Sequence, residues 1–187
     1  MEASQVIVPN RKLILPPDAL ARVGGVFTVQ HIRDGEVIDE FDSKNLVVNQ
    51  GLNYLLNTAL DAQSAQASWY VGLFTGNYTP LATDTASSFP TAATETAAYT
   101  VATRPAWTPP AGGSTAQSID NSASKATFTM NAAATIYGAF LISSNTINNT
   151  NSATAGVLFA ASQFSAPRSV VANDQLLITY AVSAVSA

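Results

Sequence analysis

The sequence predicts a mainly β protein: a β-sandwich, jelly-roll-like, with one short amphipathic helix and an extended N-terminal arm. Three observations carry this. Short runs rich in Val, Ile, Phe, Tyr and Thr recur at close spacing, about eight to ten of them, each bounded by Gly, Pro, Asn or Ser. One stretch alone has helical periodicity, with Leu52, Leu55, Leu56, Ala59 and Leu60 at i, i+3, i+4, i+7 and i+8. Finally, twelve of the twenty charged side chains fall in residues 1–44, so the composition changes just before that helix.

Residues 1–25 read as an arm and residues 26–187 as the sandwich domain. Val6-Ile7-Val8 and Leu13-Ile14-Leu15 are short β-prone runs separated by Pro9-Asn10-Arg11-Lys12 and closed by Pro16-Pro17. They could add as strands to a neighbour's sheet edge, or form the first strand of the domain's own sheet. Gly24-Gly25 is the expected hinge.

A hairpin follows, Phe27–Arg33 and Glu36–Phe41, about Asp34-Gly35. A three-residue Arg33-Asp34-Gly35 loop, pairing Ile32 with Glu36 and Phe27 with Phe41, segregates the faces best. It gathers Phe27, Val29, His31, Val37 and Phe41 on one side. The helix spans about residues 50–61, capped by Asn49 or Gln50, with its leucine stripe closing one end of the sandwich. Trp69–Phe74 is apolar on both faces and so central. Asn77–Thr94 is a long Thr/Ala/Ser/Pro loop with Asp84 as its one charge, expected to be functional or a contact surface. Tyr99–Trp107 has strand character, and Pro105 and Pro109-Pro110 place it at an edge. Ala126–Met130, Thr135–Ile142, Gly156–Ala160, Ser169–Val171 and Gln175–Val182 complete the strands.

Composition excludes several kinds of chemistry. Charged residues make up 11% against the usual quarter, while hydrophobic content is an ordinary 47%. A surface so short of charge is expected to be covered in an obligate assembly. A net charge of −4 without a dense Lys/Arg cluster argues against nucleic acid as a partner. The absence of cysteine excludes disulfides, thiolate catalysis and Cys-ligated metals. Met-Glu-Ala-Ser-Gln lacks a basic and apolar leader, and no run approaches the ~18–20 apolar residues of a membrane span. The expectation is a soluble protein made in a cytoplasm, without a membrane partner.

Candidate chemistry is sparse. His31 is the lone histidine, with Asp39 across the hairpin, but no Gly-x-Ser-x-Gly elbow supplies a nucleophile. A structural role is favoured. Glu36, Asp39, Glu40 and Asp42 could hold Ca²⁺, yet in a strand they alternate between faces; a solvated edge that discourages stray pairing fits better. Trp69, Tyr70, Tyr99, Trp107 and Tyr137 could form a carbohydrate platform, with core packing the favoured alternative. No nucleotide-binding glycine loop is present.

The ordered motifs Asp34-Gly35, Asn45–Leu56 (NLVVNQGLNYLL), Tyr70-Val-Gly-Leu73, Asp120–Thr129, Ile136–Leu141 and Val171–Tyr180 resemble those of small virion structural proteins of tailed bacteriophages, of the capsid cement or decoration kind. The resemblance covers roughly residues 26–185. It implies a non-enzymatic protein without cofactor or metal, assembled in the host bacterial cytoplasm and sitting on the outer capsid surface. Its implied partners are the major capsid protein and further copies of itself, as a dimer or trimer. Val6, Ile7, Val8, Leu13, Ile14 and Leu15 are the residues expected to grip the partner. The alternative is a tail-fibre or baseplate-associated module whose Thr/Ala/Ser loops contact a receptor glycan.

Overall fold

The computed structural model describes residues 4–8, 11–15, 21–114 and 116–186, the first two segments by backbone alone. In chain order the strands are β1 (Ser4–Val8), β2 (Arg11–Leu15), β3 (Ala21–Arg33), β4 (Glu36–Lys44), β5 (Leu46–Val47), β6 (Trp69–Phe74), β7 (Ala106–Trp107), β8 (Ser118–Asp120), β9 (Ala126–Thr129), β10 (Ala134–Ile142), β11 (Leu158–Val170) and β12 (Gln175–Ser186); helix α1 (Asn49–Leu60) follows β5 and α2 (Phe89–Ala92) follows β6. The protein is mainly β, as the strand spacing predicts, with two helices rather than one among the described residues.

Two antiparallel sheets form the body. One runs β4-β3-β12-β8, with β9 also on β12; the other runs β5-β11-β10-β6-β7. Phe27, Val29, Phe128, Leu176, Ile178 and Tyr180 from the first sheet share one core with Val71, Leu73, Ile136, Leu141 and Phe159 from the second. Because side chains alternate along a strand, β10 turns Ala139 and Leu141 into this core and Phe140 and Ile142 to the other side.

That other side is also covered. Asn77–Thr94, expected as a functional or contact loop, instead packs Ala86, Phe89 and Ala93 onto Phe74, Phe140 and Leu158. Phe89 meets Phe74 and Phe140 edge-on, with ring centroids 5.6 and 5.1 Å apart. The Asp84 carboxylate holds the loop by accepting from Tyr78 OH and Leu81 N, both at 2.8 Å. Burial, with Asp84 alongside, pushes the Tyr78 phenol up to about 12.

Several boundaries differ from the sequence reading. The Asp34-Gly35 turn is the two-residue type, with both residues at positive φ (52° and 85°) and Arg33 opposite Glu36. The expected three-residue loop is not formed. A bulge between His31 and Ile32 shifts the register beyond the turn and sets Val29 against Phe41, which brings Phe27, Val29, His31 and Phe41 to one face; Val37, expected with them, lies opposite Ile32 and is exposed. Strand β3 begins at Ala21 and pairs with β12 as far as Ala21↔Ser186. Gly24-Gly25 is therefore inside a strand and is not a hinge. Gly25 is needed for close approach: Gly25 N donates to Asn45 Oδ1 at 2.7 Å, Asn45 Nδ2 donates to Tyr180 OH at 2.8 Å, and an added Cβ would strike the Ala181 carbonyl. Asn45 is the corner at which the chain leaves one sheet for the other. Of the stretch 99–107 only Ala106-Trp107 is a strand, at the expected edge, and Gly156–Ala160 and Ser169–Val171 belong to the single long β11.

Candidate functional site

The arm's six apolar residues fall on β1 and β2, which pair with each other as an antiparallel hairpin, Val6 opposite Leu13 and Val8 opposite Arg11. Gln5 faces Ile14, and Ser4 faces Leu15. Whether Val6, Ile7, Val8, Leu13, Ile14 and Leu15 grip a partner is a matter of side chains outside the described residues. A lone two-stranded ribbon is marginal in water, so such a hairpin gains most when it is docked.

The body has an unusual charge distribution. Eight charged residues follow residue 44: Asp61, Asp84, Glu95, Arg104, Asp120, Lys125, Arg168 and Asp174. Asp84, Glu95, Arg104 and Asp174 are buried; Asp120, Lys125 and Arg168 are partly buried; only Asp61 is fully exposed. The outer surface of residues 45–186 is almost without charge.

Helix α1 adds an apolar face to that surface. The expected leucine stripe points outward: Leu52 is 37%, Leu56 58% and Leu60 82% exposed. The helix lies on the sandwich by its other side. Gly51 sits against the Phe159 backbone, so close that a Cβ would overlap its carbonyl oxygen, and Tyr54 meets Trp69 edge-on at 5.3 Å. This glycine contact fixes the rotation of the helix and turns the leucines to solvent. The expected Asn49 or Gln50 cap is also not formed; the N-cap is Val48, without a side-chain bond. Gln50 Oε1 instead accepts from Ala86 N (2.9 Å) and Leu158 N (2.8 Å), tying the helix to the loop and to β11.

Beside α1 the sandwich end stays open as an apolar groove. Leu55, Ile119, Phe159 and Val182 line a cavity of about 360 Å³ that Val23 also borders. The same four residues continue into a second space of about 180 Å³ walled by Trp69 and Trp107. Leu55 is the one leucine of the stripe turned inward.

His31 finds a different acid from the one its hairpin register suggests. Asp39 is its cross-strand neighbour, but its ring bonds Asp174, Nε2 to Oδ2 at 2.9 Å. Arg33 donates to the same carboxylate through Nε (2.8 Å) and Nη2 (2.7 Å), and Val171 N donates at 2.8 Å. Arg33, with burial opposing it, holds the Asp174 carboxyl well below the usual range. His31 is 4% exposed and Asp174 1%. No hydroxyl contacts the ring among the described residues, and the cluster anchors the β11–β12 turn to β3. Sequence reasoning had no means of pairing His31 with a residue 143 positions away.

The acidic run lies on β4, the edge strand of its sheet. Glu36, Glu40 and Asp42 are exposed, Gln30 donates to Glu40 and Thr28 to Asp42, and Asp39 pairs with Arg168 at 2.7 Å. Among the described residues no group of three or more metal-ligating side chains converges. The aromatic set divides. Tyr99 and Trp107 are core residues, Trp107 donating from Nε1 to the Tyr180 carbonyl at 2.9 Å, while Trp69, Tyr70 and Tyr137 are half-buried. Among the described residues no helix is long and apolar enough to cross a membrane.

A second ionic feature was not foreseen. Arg104 and Glu95 form a bidentate pair, Nε to Oε1 and Nη2 to Oε2, both 2.7 Å and both side chains 0% exposed. Nη1 donates to the Ser144 carbonyl, Asn148 N donates to Glu95 Oε2, both at 2.7 Å, and Arg104 N donates to the Asn145 carbonyl at 2.9 Å. The pair is a strut beneath the loop that joins β10 to β11. Its one sequence sign is that these are two of only eight charged residues after residue 44.

Comparison of the chain with protein-family models, with curated proteins and with solved structures finds no match.

Proposed function

We propose that this chain is a non-enzymatic structural protein of a tailed-bacteriophage virion, a cement or decoration protein that binds the major capsid protein lattice from outside and associates with its own copies. The observation that supports this reading best is the surface formed by residues 45–186, where Asp61 is the one charged residue classed as exposed and the leucine face of α1 stands beside an open apolar groove. Water-facing charge keeps a free protein apart from its neighbours; a neutral surface with an apolar stripe suits permanent coverage. A decoration protein has to hold neighbouring capsomers together, and broad neutral contacts, with an arm that can add strands, do this without reactive groups. The one histidine is buried against Asp174, in keeping with a non-catalytic role.

The test is co-sedimentation with tail-less heads lacking the protein. Binding to such heads is expected, together with dimers or trimers of the free protein at micromolar concentration. Replacing Leu52, Leu56 and Leu60 by Ser should abolish one or both associations while leaving the melting temperature unchanged. Failure to bind heads, or wild-type association by the triple variant, would refute the reading.

A further inference from the structure

A second concave site includes none of the leucines of α1 in its lining. The β10–β11 loop, Tyr70 and Gln66 enclose a cleft of about 770 Å³, within the roughly 300–1,000 Å³ range of small-ligand sites. No charged residue lines it. Its wall is amide and hydroxyl, chiefly Asn145, Thr146, Asn151 and Thr154, with the half-buried Tyr70 ring at one side.

Its backbone is fixed in advance. The Arg104–Glu95 strut holds Ser144, Asn145 and Asn148 from below. Asn149 Nδ2 closes the loop by donating to the Thr154 carbonyl at 3.0 Å, and Asn151 Oδ1 accepts from Ala153 N at 3.0 Å. Placing a charge pair in the interior is costly, and well-packed apolar residues would stabilise the fold as well or better. What the pair provides is a rigid loop. Meanwhile the side-chain nitrogens of Gln66, Asn145 and Asn151 and the Tyr70 hydroxyl make no hydrogen bond within the described residues. These are solvent-facing polar groups, free of protein partners among the described residues, around a shaped space.

We infer that this cleft binds a neutral glycan. Each sugar hydroxyl both donates and accepts, matching amides and hydroxyls that do both. The apolar face of a pyranose ring suits the face of Tyr70. An anionic ligand would meet no cation here, and a lipid would meet no apolar wall. The long Thr/Ala/Ser loop 77–94 is not the site; it covers the outer face of a sheet. The inference is independent of capsid attachment, because none of the residues it uses belongs to the leucine stripe or to the apolar groove.

Saturation-transfer NMR on the full chain tests it with maltotriose, chitotriose, mannotriose and galactotriose as neutral probes and 6′-sialyllactose as the acidic one. At least one neutral trisaccharide should bind. Asn145→Ala with Asn151→Ala, both exposed residues, should weaken that binding about tenfold or more, and Asn145→Ala alone, which breaks no bond to the loop backbone, should weaken it with an unchanged melting temperature. Tyr70→Phe should keep affinity that Tyr70→Leu loses. No binding by any neutral probe, equal or better binding of sialyllactose, or wild-type affinity in the double asparagine variant would each overturn the proposal.

Discussion

Replacing Arg104 by Met is the most demanding stability test this structure offers. The guanidinium makes three 2.7 Å bonds, two to Glu95 and one to the Ser144 carbonyl, and neither Arg104 nor Glu95 is exposed. Methionine fills much of the same space, so little of the loss comes from a cavity. What remains is a buried carboxylate with the Asn148 amide as its one remaining partner, and removing one member of such a pair costs about 3–5 kcal/mol. For a chain of this size each kcal/mol corresponds to about 2–4 °C, so the midpoint should fall by about 6–20 °C. Adding Glu95→Gln removes the stranded charge while keeping an acceptor for Asn148 N, and should recover at least half of the loss. Calorimetry of wild type, both singles and the double gives the full cycle. A single variant melting within about 2 °C of wild type, or a double no more stable than Arg104→Met, would refute the account of a desolvated, uncompensated carboxylate.

Three further outcomes are expected. Gly51→Ala should destabilise by about 1–3 kcal/mol by overpacking against the Phe159 backbone, even though alanine favours helix, whereas Leu56→Ala should stay within about 0.5 kcal/mol; paired denaturant titrations decide, and the reverse order would show the helix rotated from its assigned seat. Asp174→Asn should cost about 1.5–3 kcal/mol at pH 7; because the folded carboxyl titrates well below its unfolded value, the wild-type advantage is complete above about pH 5 and shrinks progressively as the pH falls, so the gap between the melts of the two proteins should narrow steadily from about pH 5 to 2. Removing residues 1–20 should leave the body folded with an unchanged midpoint, because β3 starts at Ala21 and its pairing with β12 is complete without them; a collapsed melt would make the β1–β2 hairpin part of the body.

What could be read from the sequence was whatever a local period records. Alternation marked β9, the doubly apolar run of β6 announced a strand flanked on both sides within its sheet, and the helix appeared within a residue of its expected limits. The rotation of that helix could not be read, because periodicity reports that one face is apolar and not which face is covered. The choice was made by Gly51, a residue with no side chain to signal it. The hairpin differs for a related reason: segregation of faces does not fix the turn, because a bulge at Ile38 brings Phe41 beside Val29 with a different turn and leaves Val37 outside. His31–Asp174 and Arg104–Glu95 depend on the tertiary fold, which no local pattern encodes. A residual sign existed in their rarity, since a charge kept within a charge-poor stretch is usually kept for a partner.

Seen this way, the scarcity of charge and the buried ion clusters have one cause. Beyond the acidic edge strand β4, residues 45–186 place half of their eight ions where they fix loops: Asp84 on the 77–94 segment, Glu95 and Arg104 beneath the β10–β11 loop, Asp174 in the turn before β12. Each replaces water around a carboxylate with oriented N–H or O–H donors, so the loops gain definite shapes that surface ion pairs, contributing about 0–1 kcal/mol, could not impose. The outside is thereby left to amides, hydroxyls and the leucines of α1. A surface of that kind has little to hold neighbours at a distance and much to satisfy on contact, and the rigid loops beneath it keep its shape constant from one copy to the next. Exposed Asp61 stands alone at the C-terminal end of α1, next to Leu60. Placing Lys at Leu56 and Leu60 adds two charges to the same helix without touching the core, so it should separate any self-association from folding: sedimentation equilibrium should shift to the monomer while the circular dichroism melt is unchanged. An oligomer that survives both lysines would refute the leucine face as the self-contact.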